Sequence, residues 1–557
     1  MPTSHYKRRQ TLLACACLSS LAAGAADLRF TTIISDQNAN IAFPNLPASY
    51  IIASSSAAIS DVGNADMGVF LSNAAAGNGH WAQVESSWRQ FAAINTSNAA
   101  GPGRTGAESG HVFFEWDGVS DSAGSNIRTF IGRAGSPLQP SSVATWGMYA
   151  FNGLANVEVA RGGNVGALGP NLATGWQFNT SRNPFDRIIP QANGRVVISA
   201  QVDSPSNTFI PAVVLHVPGF GNRGCAATGL TGPLAPGVGL TFNELRWVVA
   251  ASDGPVYMHG AQVNGSFVTA EGIWAICEGA PSVKALAKVT GVRGPGLPAS
   301  TAIFNTIQNF ITTAGGDSFH FGASGQETAG AGAVPFDGIF RHDGTANAPV
   351  ALRSVQGELG PKVAGFVFSQ FGTIKVQAAA SFGLLRATVN DVVTPTDSRE
   401  GLWRTTASSS AQPIALVNAT GSLLAPSATR RWVNFQNEAI FANGDVLTIA
   451  TTALLAGGDQ KRGLWRLRPN RAPESMMAIG DRVTLTTASG PQLVAITDIE
   501  TVLSSSGPIQ LYSGDDSWAS ADGSVIVGVN LAGFSSTSFF VRGLATDLSV
   551  LLADGFE

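Results

Sequence analysis

Short apolar, β-branched stretches bounded by glycine recur along this chain, and four of them share one signature. They read Gly272-Ile273-Trp274-Ala275, Gly338-Ile339-Phe340-Arg341, Gly401-Leu402-Trp403-Arg404 and Gly463-Leu464-Trp465-Arg466, the aromatic residue stepping by 66, 63 and 62 positions. A fixed period of this kind marks an array of similar supersecondary units. About twenty residues upstream of the aromatic, a glycine opens a second apolar run, as at Gly194, Gly254, Gly444 and Gly523, with looser copies at Gly110, Gly147, Gly316 and Gly372. Phe242, Phe304 and Trp432 lie twelve residues before Gly254, Gly316 and Gly444, and a further apolar stretch ends at Gly291, Gly357, Gly421 and Gly480.

This spacing predicts four strands per repeat. Asn193, Asp253, Asn443 and Asp522 precede the strand-opening glycines, and Asn-Gly or Asp-Gly supplies the two positive-φ residues of a type I′ hairpin turn. No helical periodicity accompanies them. The expectation is an all-β chain, a β-propeller of about seven or eight four-stranded blades, with a parallel β-helix as the main competitor. Trp274, Phe340, Trp403 and Trp465 are expected as packing anchors. The ring is expected to close by pairing Leu28–Ile34 with the strand around Phe539–Arg542, which removes exposed strand edges. The organisation predicted is a signal peptide over 1–26, one propeller domain over 27–552 and a short tail over 553–557.

The leader carries Lys7, Arg8 and Arg9, then the apolar run Thr11–Leu21 and the small residues Ala23-Gly24-Ala25-Ala26. These are the parts of a secretory signal, too short for a permanent anchor. Ordinary secretion is favoured over twin-arginine export or a lipoprotein cysteine at Cys15, so the location expected is extracytoplasmic: periplasm, cell surface or medium. No later stretch is apolar enough for a transmembrane helix. The chain without its leader holds 30 basic against 37 acidic side chains, which excludes a general attraction to nucleic acid or anionic membrane. Cys225 and Cys277 remain after the leader, and an even pair in an oxidising compartment favours one disulfide over two buried thiols.

Gly147-Met148-Tyr149-Ala150-Phe151 and the Gly-Leu-Trp-Arg strands resemble the secreted bacterial tandem-repeat NxxGxxAF (choice-of-anchor) proteins, which are described as propellers, although no copy here has Asn three residues before the glycine. Ser520–Gly528 is similar to the HAF repeats of extracellular proteins, and Asp554-Gly555-Phe556-Glu557 looks like the short endings of some Gram-negative secreted proteins. The resemblance implies an extracytoplasmic, surface-associated protein and brings no catalytic residue with it.

Chemistry is sparse in the sequence. There is no HExxH, CxxC, GxSxG elbow, sialidase-type Asp box or calcium loop, so no catalytic, cofactor or metal residue is assigned. His111, His259 and His320 recur near strand-opening glycines, on what reads as the second strand of each blade. Arg341, Arg404 and Arg466 follow the repeat aromatic and face the other side of their strands. They form a candidate binding row for an acidic glycan, with salt bridging or stacking as the structural reading. The sequence therefore favours a non-enzymatic binding, adhesion or surface protein, with a glycan or cell-surface protein as the classes of partner. A carbohydrate-active propeller enzyme, hydrolase or lyase, is the alternative.

Overall fold

The computed structural model describes residues 30–35, 52–59, 65–71, 79–121, 128–500 and 524–544, apart from short breaks within those ranges, together with Trp518. The leader and the tail lie outside the described residues. Seven antiparallel sheets follow one another along the chain, each of about four strands taken in order. By first and last strand they are sheet 1, Ile52–Ile59 to Ser87–Ala93; sheet 2, Val112–Asp121 to Asn156–Arg161; and sheet 3, Gln177–Phe178 to Gly221–Ala227. Sheet 4 runs from Thr241–Ala250 to Ser282–Leu286, sheet 5 from Ile303–Thr313 to Asn347–Leu352, sheet 6 from Phe366–Val376 to Ser409–Leu416, and sheet 7 from Arg430–Ile440 to Glu474–Ala478. In sheet 3 the first strand is broken in two, Gln177–Phe178 and Phe185–Pro190 both pairing with Val196–Ser204. Antiparallel pairing throughout these sheets excludes the parallel β-helix.

The remaining strands form a five-stranded unit from Arg482–Thr487, Gly490–Glu500, Ser524–Leu531, Ser538–Leu544 and the early strand Phe30–Ser35. The expected pairing of the two chain ends is present: Thr31 lies opposite Arg542, Thr32 opposite Val541 and Ser35 opposite Phe539.

Hydrophobic clusters sit between successive sheets, so both faces of the inner strands are buried. Ile273 packs towards sheet 5 while Trp274 packs towards sheet 3. Consecutive residues of a strand point to opposite faces, which is why the third strands read as continuous apolar runs. The aromatic itself sits at a β-bulge between the third and fourth strands. The same bulge falls at Trp81, Tyr149, Val214, Trp274, Phe340, Trp403 and Trp465, so the bulge recurs in seven sheets, six of them with glycine and the aromatic and sheet 3 with Ala212 and Val214 in their place. Glycine two residues earlier is a steric requirement. A Cβ on Gly401 would lie 2.7 Å from Cη2 of Trp403, and one on Gly272 would lie 2.8 Å from that of Trp274.

A second periodic contact joins each sheet to the next. After the fourth strand, one residue adopts a left-handed conformation and donates its N–H to the carbonyl of the first-strand aromatic of the following sheet. The pairs are Asn95 to Phe113, Gly163 to Phe178, Gly229 to Phe242, Lys288 to Phe304, Ser354 to Phe368 and Asn418 to Trp432, at 2.7–3.2 Å, and Gly480 makes the same bond at 2.9 Å to an aliphatic residue, Ile496, in the strand Gly490–Glu500 of the final unit. Within a sheet, that first-strand aromatic meets the third-strand aromatic edge to face. Phe242 and Trp274 lie 5.2 Å apart at 88°, Phe304 and Phe340 5.0 Å at 90°, and Trp432 and Trp465 5.0 Å at 82°. Such geometry adds roughly 0.5–1.5 kcal/mol to the burial itself.

Outer-strand asparagines tie the connecting loops down. Asn156 donates to the carbonyls of Phe91 and Gly101, Asn222 to those of Val159 and Gly169, and Asn347 to that of Gly294. Each of these glycines begins a Gly-Pro-x turn whose third residue is left-handed: Gly103, Asn171 and Gly296, with Lys362 in the fourth copy.

Three details of the sequence reading need correction. Gly147 belongs to the third-strand series, beside Gly272 and Gly401, and Gly110 precedes a first strand; the extra loop before sheet 2 shifts the N-terminal register. His111 accordingly precedes the first strand of sheet 2, whereas His259 and His320 are on second strands. The turn at Asn443-Gly444 has positive φ only at the glycine, and Oδ1 of Asn443 accepts from the N–H of Asp445, so it is an Asx turn rather than type I′.

Trp403 is fully buried, its Nε1 donating to the Pro361 carbonyl at 2.9 Å. Trp403→Ala is expected to lower stability by about 3–5 kcal/mol through the cavity it leaves. Arg404 is half-buried, its guanidinium 4.9 Å from the Phe382 ring; Arg404→Ala should cost only about 0.5–1 kcal/mol. Melting curves of the two variants check this. Equal melting temperatures would refute the assignment of the buried face.

Candidate functional site

One sheet departs from the repeat at three positions that touch one another. In sheets 3, 5 and 6 the residue after the left-handed turn residue is apolar, Leu172, Leu297 and Val363, and packs into the core that holds the third-strand bulge residue, Val214, Phe340 and Trp403 respectively. At the entry to sheet 2 it is Arg104. The aromatic in sheet 2 is Tyr149, where the other sheets have Trp, Phe or Val. The residue paired with it across the bulge is Glu158, where sheets 4, 5 and 6 have Val283, Pro349 and Pro413.

These substitutions build a buried polar network. Arg104 Nη2 donates to Glu158 Oε1 at 2.7 Å, Thr145 Oγ1 at 2.9 Å and the Tyr149 hydroxyl at 3.2 Å. The Tyr149 hydroxyl donates to Glu158 Oε1 at 3.0 Å. Glu158 Oε2 accepts from Arg161 Nε at 3.0 Å, and Arg161 Nη2 reaches both Glu158 and, at 3.0 Å, Glu108 Oε2. Arg104 and Glu158 side chains are 2% and 7% exposed, Glu108 39%. The network therefore runs from the core to solvent, and Glu108 and the half-buried His111 form its outer end. Gly147 makes room for it: a Cβ there would lie 2.7 Å from Glu158 Oε1 and 2.9 Å from the Tyr149 oxygen.

Protonation states follow from the contacts. Arg104 Nη1 lies 3.0 Å from His111 Nδ1. A guanidinium only donates, so Nδ1 accepts and a neutral imidazole carries its proton on Nε2. Burial and the Arg104 charge both lower the His111 pKa. Burial, with the Glu158 carboxylate second, raises that of Tyr149, which stays a phenol. Two carboxylates, Glu108 and Glu158, are held on the same guanidinium nitrogen, so their oxygens are separated by no more than two hydrogen bonds end to end.

Of the residues singled out in the sequence, His111 belongs to the network, and the others lie elsewhere. Cys225, in the fourth strand of sheet 3, and Cys277, after the third strand of sheet 4, are disulfide-bonded, stapling two sheets across 52 residues. Trp274, Phe340 and Trp403 are fully buried, and Trp465 is half-buried against Trp432. Arg341 donates Nε to Ser318 Oγ at 3.1 Å, Arg404 stacks on Phe382, and Arg466 is buried in an ion pair with Asp445. None of the three touches the network. Its residues escaped the sequence reading because they are a loop arginine and two strand residues some fifty positions away. The available signal was Arg104 in a Gly-Pro-x position otherwise filled by Leu or Val. A cavity of about 570 Å³ lies apart from it, in the loop between sheets 5 and 6, lined by Glu358, Lys362 and Phe366. Among the described residues no group of His, Cys, Asp and Glu could hold a metal ion.

No family model and no curated protein matches the chain. Solved structures do. An ulvan lyase, described as a new family of polysaccharide lyase, is 7% identical with a TM-score of 0.30, covering 94% of this chain and 99% of its own. An α-L-arabinofuranosidase from Fusarium graminearum is 10% identical at a TM-score of 0.21, covering 76% and 90%. A puromycin-hydrolysing peptidase of Mycobacterium tuberculosis is 10% identical at 0.20, covering 69% and 57%. These matches to enzymes, with carbohydrate-active ones recurring among them, correct the preference for a non-enzymatic protein. At such scores nothing of mechanism transfers, and the chemistry has to come from this chain's own side chains.

His320 supplies a test of the burial described for the second strands. It is 3% exposed with neither ring nitrogen hydrogen-bonded, and burial, with the Arg341 charge second, pushes its pKa down from 6.5 to about 3. The unfolded chain therefore takes up a proton that the folded chain refuses. Stability should be undiminished above about pH 6.5 and fall as pH drops towards 3, by on the order of 4 kcal/mol. Urea unfolding across that range, on wild type and His320→Phe, checks it; an unchanged pH slope in the variant would contradict the prediction.

Proposed function

We propose that this chain is a propeller-folded, carbohydrate-active enzyme that cleaves a polysaccharide outside the cytoplasm, with its chemistry at the Arg104 network. The ring reading has three supports. The first strands of successive sheets lie beside one another, the strand Ile52–Ile59 lies beside Ser524–Leu531 of the final unit, and the early strand Phe30–Ser35 completes that unit. A ring of eight blades accounts for all three. The secretory leader supports the location.

The observation that carries the functional reading is the exchange of an apolar junction for a charged one in a single sheet. Burying ions costs several kcal/mol each before their attraction offsets it, and well-packed hydrophobic replacements of such groups are often neutral or stabilising. Sheets 3, 5 and 6 fill the position after the turn, and sheets 4, 5 and 6 the position across the bulge, without charge. The network is thus an expense in stability with a solvent-facing end. There the Glu108 carboxylate acts as general base, or as one of a carboxylate pair with Glu158. The Nε2–H of His111 donates to a sugar oxygen, and Arg104, Tyr149 and Arg161 hold both in place. Two carboxylates and a fixed donor are the groups that glycosidic cleavage uses.

The test replaces the network by the repeat's own residues. Arg104→Leu/Tyr149→Phe/Glu158→Val should melt no lower than wild type, and up to about 1–4 kcal/mol more stable. Polygalacturonate and arabinan, one acidic and one neutral, serve as substrates. New reducing ends report cleavage, and an ultraviolet-absorbing conjugated double bond separates elimination from hydrolysis. Wild type should cleave, while Glu108→Gln and the triple variant should lose at least about a hundredfold in rate. A triple variant that cleaves normally, or one that no longer folds, would overturn the assignment.

A further inference from the structure

A second departure from the repeat lies on the first strands, away from the Arg104 network. Trp247, in the first strand of sheet 4, is 38% exposed, and no other tryptophan among the described residues is a large exposed hydrophobic. It stands opposite His259. The corresponding residue in sheet 2, opposite Ile131, is Asp117, and the bulges at this level in sheets 6 and 7 hold Gly372-Thr373 and Gln436-Asn437. An indole here stands where sheets 2, 6 and 7 have small or polar residues; the bulge of sheet 5 holds Gln308-Asn309-Phe310.

Its surroundings fix it. Arg187, from the first strand of sheet 3, places its guanidinium 4.9 Å from the ring centroid and donates Nη1 to the Val248 carbonyl at 3.3 Å. One face is therefore backed by a cation anchored to the neighbouring backbone, which costs the indole its rotamer freedom before any ligand arrives. On the same strand, Arg246 bonds Glu271 at 2.8 Å and also pairs with Glu244, both of them partly exposed. A rigid, half-exposed aromatic plate beside a row of fixed donors and acceptors matches the two-sided chemistry of a sugar ring. The apolar C–H face of the ring lies on the indole, and the hydroxyls around its edge meet the charged groups.

We infer that Trp247, backed by Arg187, is a stacking platform for a pyranose unit of a glycan chain, separate from the cleavage site. The inference rests on the polysaccharide reading above and adds where the chain is gripped. A platform remote from the reacting bond contributes equally to ground state and transition state, so its loss raises KM and leaves kcat unchanged.

Isothermal titration of wild type, Trp247→Ala and Trp247→Phe with oligogalacturonate and xylo-oligosaccharides tests it, alongside steady-state kinetics and melting curves. Expected is a Kd about tenfold or more weaker for Trp247→Ala, equivalent to 1.4 kcal/mol, with the phenylalanine variant largely restored and both melting temperatures unchanged. KM should rise and kcat hold. A Trp247→Ala protein with wild-type Kd and KM overturns the platform while leaving the cleavage assignment standing. A fall in kcat alone overturns it too. Wild type that cleaves but whose KM is indifferent to Trp247 separates failure here from failure of the Arg104 network, which shows instead as normal rates in the triple variant.

Discussion

Each sheet from sheet 2 to sheet 7 is hung from its predecessor by one backbone hydrogen bond, given by a left-handed residue to the carbonyl of a first-strand aromatic, and the final unit is hung by the same bond to Ile496. In sheets 2, 4, 5, 6 and 7 that aromatic also stands edge-on to the aromatic of the third strand, so a single side chain fixes both the pitch between sheets and the core within one. The contact recurs from Asn95–Phe113 to Gly480–Ile496 at steps of 62 to 65 residues between acceptors. A net hydrogen bond is worth only about 1 kcal/mol, and its repetition at each junction sets a common spacing. The Gly-x-aromatic signature, the bulge and the Gly-Pro-x turn are the local conditions under which that junction closes.

Function is then expected where the junction is made differently. The charges of Arg104, Glu158 and Arg161 occupy space that leucine, valine and proline fill elsewhere, and Trp247 exposes an indole where the first strands of sheets 2, 6 and 7 are small or polar. Natural sequences depart from local consistency chiefly at sites kept for something other than stability. Repetition supplies the control: sheets 3 to 6 record what packing selects at these positions, and sheet 2 differs at three touching ones.

Much of the fold was legible in the sequence because the third-strand signature is sterically enforced. Gly401 and Trp403 cannot change independently, so the period survives. The same logic failed towards the N-terminus. Val214 has no ring to mark its bulge, and Tyr149 was read in another register because the loop before sheet 2 is longer than its counterparts. The first-strand aromatics were seen at Phe242, Phe304 and Trp432 but missed at Phe113, Phe178 and Phe368, since twelve residues on from these stand Ser125, Pro190 and Ala380 in place of a glycine. The pairing of the chain ends was predictable from the need to cover strand edges. The Arg104 network was not, because hydrogen bonds between residues 45 and 54 positions apart leave no periodic trace.

Native-state hydrogen exchange at the junction amides measures the governing contact most directly. If the left-handed donors hold the sheets in register, the N–H groups of Asn95, Gly163, Gly229, Lys288, Ser354, Asn418 and Gly480 should exchange slowly, with opening free energies close to those of the central strands. Exchange at these seven positions as fast as in the exposed loops, while the strands stay protected, would show that the sheets stand independently and that the junction does not organise the fold.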